Sequence, residues 1–160
     1  METKKITKSD LNENNEYAAS RDLVFAGHIE IEANLGTVII IGSIHAEGSF
    51  KAGMGIKAGS GIKAGMGIKA GMGIEAGEGI EAGWGIKAGE GIEAGEGIKA
   101  GLSIRCKKSL SVKLRIFAGI CMWRIPEAKE TEIQAAEITG TVCHGTVKLL
   151  PSSEDQAVQQ

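Results

Sequence analysis

The chain has 160 residues, with 24 glycines, only six aromatic residues, and 18 Lys+Arg against 20 Asp+Glu. Large aromatics supply much of the area of an ordinary layered core, so this composition argues against a conventional α/β or helical globule, while 42% apolar residues exclude compositional disorder. The balanced charge excludes a generally basic nucleic-acid binder or an acidic tail protein.

Residues 1–22 are polar and aperiodic, which predicts a flexible tail. They hold no apolar signal core, and no later run approaches the ~18 residues of a membrane span. The expected location is therefore cytoplasmic, with no membrane partner. Leu23 to Ile44 is apolar and β-branched and reads as a first coil and N-terminal cap. From Gly55 to Gly101 the unit G-I-K/E-A-G-x repeats, placing eight isoleucines from Ile56 to Ile98 at intervals of six. The register extends upstream to Val38, Ile44 and Phe50 and downstream to Ile104, Leu110 and Ile116, with a small or apolar residue two positions after each.

Period six excludes an α-helix, which needs apolar residues every 3.6 and loses roughly 1 kcal/mol per interior glycine. It also excludes collagen, which needs glycine at every third position. A flexible linker would not carry an isoleucine in every unit. The remaining structure is a short Ile-Lys/Glu-Ala strand with its first and third side chains inward and the charged middle outward. The intervening glycines are expected to take positive φ at the corners. Three such strands per 18-residue coil make an all-β, single-stranded triangular β-helix, a solenoid with capping strands at both ends. The stretch from Val38 to Ala118 then amounts to about 4.5 coils.

Beyond the repeat, SLSVKLRIFAG alternates Leu110, Val112, Leu114 and Ile116 and predicts a longer strand. GICMWRIPEAKE, with Trp123 and Pro126, predicts a turn out of the helix in which Trp123 packs into a cap. The resulting organisation is a tail over 1–22, the β-helix over 23–118, a C-terminal β cap or oligomerisation segment over 119–150, and a second tail over 151–160.

Hexads building triangular β-helices resemble two groups, the hexapeptide acyltransferases and the bactofilin-like polymer-forming proteins. Here Ala follows Ile by two positions, where the acyltransferase hexad has its small residue four after the aliphatic one. The alternation in GHIEIEANLG and GSIHAEGSFKAG, flanked by polar ends, looks more like bactofilins. That resemblance spans roughly residues 23–118 and implies a right-handed helix and end-to-end assembly.

No motif points to catalysis. GEGIEAG is one residue too long for a dinucleotide fingerprint, and no GK[ST] is present. The cysteines (Cys106, Cys121, Cys143) form no CxxC, and His28, His45 and His144 are scattered, so no metal, cofactor or catalytic residue is expected. His45 reads as a solvated outward side chain.

Residues 18 apart should stack into columns. One face then carries Lys51, Lys69, Lys87 and Arg105, a second Lys57, Glu75 and Glu93, and the third His45, Lys63, Glu81 and Lys99. The corners carry an apolar ridge of Met66, Trp84 and Leu102, a column starting Met54 and Met72, and a column of Ser60, Glu78 and Glu96. The basic face between the ridge and the Met54/Met72 corner is the candidate partner interface. Glu75, Glu78, Glu81, Glu93 and Glu96 form a candidate acidic patch. A non-enzymatic interaction protein that self-associates or docks onto a larger complex fits these surfaces. The alternative is a phage- or mobile-element-encoded inhibitor of a nucleic-acid-targeting defence complex, anti-CRISPR-like, acting by nucleic-acid mimicry. A divergent acyltransferase and direct nucleic-acid binding by the basic face are the lesser readings.

Overall fold

A computed structural model describes residues 1–152; the tail expected over 151–160 lies, from residue 153 on, outside the described residues. The hexads close into a β-solenoid of about seven coils with three flat faces. Face 1 stacks β1 (Thr3–Ile6), β3 (His28–Ile31), β6 (Phe50–Ala52), β9 (Ile68–Ala70), β12 (Ile86–Ala88), β15 (Ile104–Arg105), β17 (Glu132–Ala135) and β19 (Thr146–Leu149). Face 2 stacks β2 (Leu23–Phe25), β5 (Ile44–Ala46), β8 (Ile62–Ala64), β11 (Ile80–Ala82) and β14 (Ile98–Ala100). Face 3 stacks β4 (Val38–Ile40), β7 (Ile56–Ala58), β10 (Ile74–Ala76) and β13 (Ile92–Ala94). Two longer strands, β16 (Ser109–Phe117) and β18 (Glu137–His144), turn a corner and serve faces 3 and 2 together.

The stacking is parallel and in register, as in Ile56↔Ile74↔Ile92 and Ala58↔Ala76↔Ala94. Strand alternation turns the first and third residues inward, and in the repeat these Ile and Ala side chains are at most 3% exposed. The column also accepts Phe50, fully buried, because alanine columns beside it leave room for a ring. Cys106 occupies an alanine position, and burial there pushes its thiol up to about 11.

The glycines act differently from the expectation. None in the repeat has positive φ; Gly36, Gly119, Gly140 and Gly145 are the glycines that do among the described residues. The first glycine of each G-x-G is instead required by stacking. A Cβ on Gly77 would lie 2.1 Å from the carbonyl oxygen of Gly59 in the preceding coil, and one on Gly95 1.9 Å from that of Gly77. The second glycine is looser, since a Cβ on Gly79 would stand 3.4 Å from its nearest neighbour. Serine takes this second position at Ser43, Ser49, Ser103 and Ser109.

Three further features concern the ends. Residues 1–22 belong to the solenoid: β1 pairs with β3, and Ile6 and Tyr17 are buried. Their coil is long, with Thr3 opposite His28, so the hexad register is absent and only sparse apolar anchors reveal it. Asp10 holds the turn after β1 by accepting from the Thr7 N–H at 2.8 Å and the Thr7 hydroxyl at 3.0 Å. At the other end β17, β18 and β19, within the segment expected as a β cap or oligomerisation segment, stack in parallel on the helix and lengthen it beyond residue 118. Finally, Leu114 breaks the alternation expected for β16 and is 58% exposed, because the strand rounds its corner between Val112 and Ile116. Among the described residues no helix is long and apolar enough to cross a membrane.

Candidate interaction face

Backbone stacking places the outward middle residues in the expected columns. On face 1, Lys51, Lys69, Lys87 and Arg105 lie directly over one another, spaced by the ~4.8 Å of neighbouring strands. Lys57, Glu75 and Glu93 align on face 3, and His45, Lys63, Glu81 and Lys99 on face 2.

The columns differ in charge balance. Lys57 reaches Glu75 at 2.6 Å, Lys63 and Lys99 flank Glu81 at 3.9 and 3.6 Å, and Lys108 meets Glu90 at 3.0 Å. On face 1, Lys51 is answered by Glu30 at 2.9 Å, and this lysine holds the Glu30 carboxyl below its usual range. Above it, Lys69, Lys87 and Arg105 have no carboxylate partner among the described residues; Arg105 Nη2 donates only to the Lys129 carbonyl at 3.4 Å. Stacked like charges repel at this spacing, so this column is held by the backbone register and not by its own charges.

The corner residues Met66, Met72, Glu78, Trp84 and Glu90 border the face of the strand that follows them. Met66 and Trp84 precede face 1 strands and border a groove of about 480 Å³ whose floor includes Lys51, Lys69, Lys87 and Arg105. Met72 precedes a face 3 strand and borders the groove containing Lys57, Glu75 and Glu93. Met54 and Met72 occupy the corner between β6 and β7 and between β9 and β10, the edge of face 1 opposite the ridge; Met72 also borders the face 3 groove, and neither lines the groove on face 1. The ridge itself is continuous, with Trp84 N–H donating to Met66 O at 3.2 Å and Leu102 N–H to Trp84 O at 3.1 Å.

The acidic patch is less uniform than its sequence. Glu78 and Glu96 do share a corner, with Glu96 N–H donating to Glu78 O at 3.2 Å. Glu75 and Glu81, however, are engaged by lysines.

The segment 119–131 adds residues that periodicity missed. It leaves the helix at the ridge corner, where Gly119 N–H donates to Leu102 O at 2.9 Å. Gly119 has φ +77°, and a Cβ there would lie 2.5 Å from Thr131 Cγ2. Trp123 does not pack into an end cap: it lies beside Trp84, ring centroids 6.3 Å apart, and stays 56% exposed. Met122 and Ile125, in the same segment, are 97% and 92% exposed.

A single clamp shapes this excursion. Arg124 lies 5.0 Å over the Trp123 ring and grips Glu130 with two bonds of 2.6 Å, while the Glu127 N–H donates to Glu130 at 2.8 Å. These donors lower the Glu130 carboxyl from 4.5 to about 2. A depressed carboxylate stabilises the folded form above its unfolded pKa and loses that contribution as pH falls through the folded value. The near-UV circular dichroism of the Trp84–Trp123 pair is therefore expected to hold from neutral pH to about 5 and to fade between about 4.5 and about 2. Glu130→Gln should produce the faded spectrum already at neutral pH; an unchanged spectrum would remove the clamp from the account.

The chain matches no family model, no curated protein and no solved structure.

Proposed function

We propose that the protein is a non-enzymatic binding scaffold, a β-helical rod that docks through face 1 onto an acidic surface of a protein partner. The observation that carries this reading is the uncompensated stack of Lys69, Lys87 and Arg105 beside the exposed Trp84 and Trp123. Elsewhere on the repeat each outward lysine sits next to a glutamate. Exposed Trp and Met beside arginine is the composition of interface cores, and the positive column supplies charge complementarity and steering. Nucleic-acid mimicry by the acidic corner is the weaker reading, because Glu75 and Glu81 are neutralised by lysines. A location in the cytoplasm accords with this reading, since all three cysteines are free thiols.

The test is affinity capture from host extract compared across face variants. Lys87→Glu and Trp84→Glu should each weaken the captured partner by about thirtyfold, the effect of losing a hot spot of about 2 kcal/mol, whereas Lys57→Glu on face 3 should not. Retention of every partner by Lys87→Glu would refute the assignment to face 1. Loss of capture after nuclease treatment would give the groove to nucleic acid instead.

A further inference from the structure

The two ends of the helix are finished differently. At the N-terminal end, Ile6 and Tyr17 close the column at 0% and 5% exposure. At the C-terminal end, Val147 and Leu149 stack on the buried Ile133 and Ala135 and so face the column, yet they are 45% and 64% exposed. Ile138 and Val142 stack on Leu110 and Ile116 and are only half-buried. Among the described residues no strand pairs with the outer edges of β18 and β19, nor with those of β1 and β2 at the other end, so what sets the C-terminal end apart is its exposed apolar side chains. Open strand edges with an apolar floor template pairing with another chain, and proline is a common protection against it. Neither strand contains one; the charge in β19 is Lys148, which stacks on Gln134 on the outward side of the strand.

We propose that this end is a two-fold interface with a second copy of the chain. The last coil is self-complementary about two points. Ile138-Thr139-Gly140-Thr141-Val142 presents the same residue classes in both directions about Gly140, and Val147-Lys148-Leu149 does so about Lys148. Gly140 lies at the corner between faces 3 and 2, since Thr139 stacks on Ser111 and Thr141 on Arg115. β19 lies on face 1, opposite that corner. A two-fold axis normal to a triangular rod runs through one corner and the middle of the opposite face, so both centres fall on one axis. Each strand then meets its symmetry mate antiparallel, and directly opposed residues share a side of the sheet. Ile138 meets Val142 of the second copy, Thr139 meets Thr141, and Val147 meets Leu149, which gives each uncovered apolar side chain a neighbour.

Such a contact is isologous and closed, so this end joins two copies and no more. The self-complementary order of both strands favours a second copy as the occupant. The axis maps face 1 onto itself, so the two basic columns join into one surface and a repetitive acidic partner is bound bivalently. The end contact itself is independent of what face 1 binds.

Light scattering and sedimentation of the full chain should give twice its 16.7 kDa. The double variant Val147→Lys/Leu149→Lys should give the single-chain mass with unchanged strand circular dichroism, because both side chains are already exposed in one copy. Trp84→Glu should stay dimeric, which separates this contact from face 1. The register gives a second readout: Glu137 and Cys143 lie three residues either side of Gly140, so Glu137→Cys should oxidise to a covalent dimer that a further Cys143→Ser abolishes. A wild-type chain of single mass, a dimer that survives the double lysine variant, or a dimer in which Glu137→Cys fails to cross-link would each overturn the proposal. A monomer that dimerises only after removal of 153–160 would make that segment the occupant and would equally overturn it.

Discussion

Gly77→Ala is expected to destabilise the protein by about 3 kcal/mol, and Gly79→Ala, two residues along the same turn, by less than about 1 kcal/mol. The first substitution puts a methyl group 2.1 Å from the Gly59 carbonyl oxygen. Backbone is the obstacle, and it cannot swing aside as a long side chain would. Relief requires lifting one coil off the next, which stretches ladder bonds such as Gly77 N–H to Ala58 O at 3.0 Å. At Gly79 the nearest atom is 3.4 Å away, an ordinary contact, and the loss of glycine's unfolded-state entropy acts in the opposite direction. Denaturant midpoints of the two variants provide the comparison; equal losses would show that glycine serves here only as a flexible spacer. Because coils contact chiefly their neighbours, the same asymmetry should recur at Gly83 against Gly85, although Gly85 is tighter, with Ser103 O at 3.0 Å.

Ile80→Ala should cost about 4 kcal/mol, at the upper end of aliphatic truncations. Ile80 is 1% exposed and lies between Ile62 and Ile98. Its column has little freedom to collapse into the space left behind, since the neighbouring coils are fixed at the strand spacing by their backbone ladder. Glu81→Ala next to it removes only exposed ion pairs to Lys63 and Lys99 and should cost under about 1 kcal/mol. Urea unfolding followed by circular dichroism gives both values, and a loss below about 2 kcal/mol for Ile80→Ala would mean that the column repacks.

Where the period was strict, the sequence was a sufficient guide. Isoleucine at every sixth position dictated strand, corner and inward face. The columns of Lys69 over Lys87 and Glu75 over Glu93 follow from three hexads per coil without further information. Where a coil is longer than three hexads, as between Thr3 and His28 or Ile104 and Ile133, periodicity had nothing to count. That is why residues 1–22 read as a tail and why β17 to β19 did not read as further coils. The residues of the proposed docking face divide in the same way: Trp84 and the lysines were legible, whereas Trp123 and Met122 lie in an insertion with no register.

The glycine excess by itself determined that this chain could not build a conventional core, and the spacing of those glycines determined a triangular β-helix. Tertiary structure decided what the glycines are for. The role of the first glycine in each G-x-G is steric, set by a carbonyl one coil away and therefore three hexads distant in sequence, and not by the local backbone angle. It also decided which charges are free, because ion pairing depends on what stacks above and below each lysine. Lys57 and Lys69 are identical within the repeat unit, but only Lys57 has a glutamate over it.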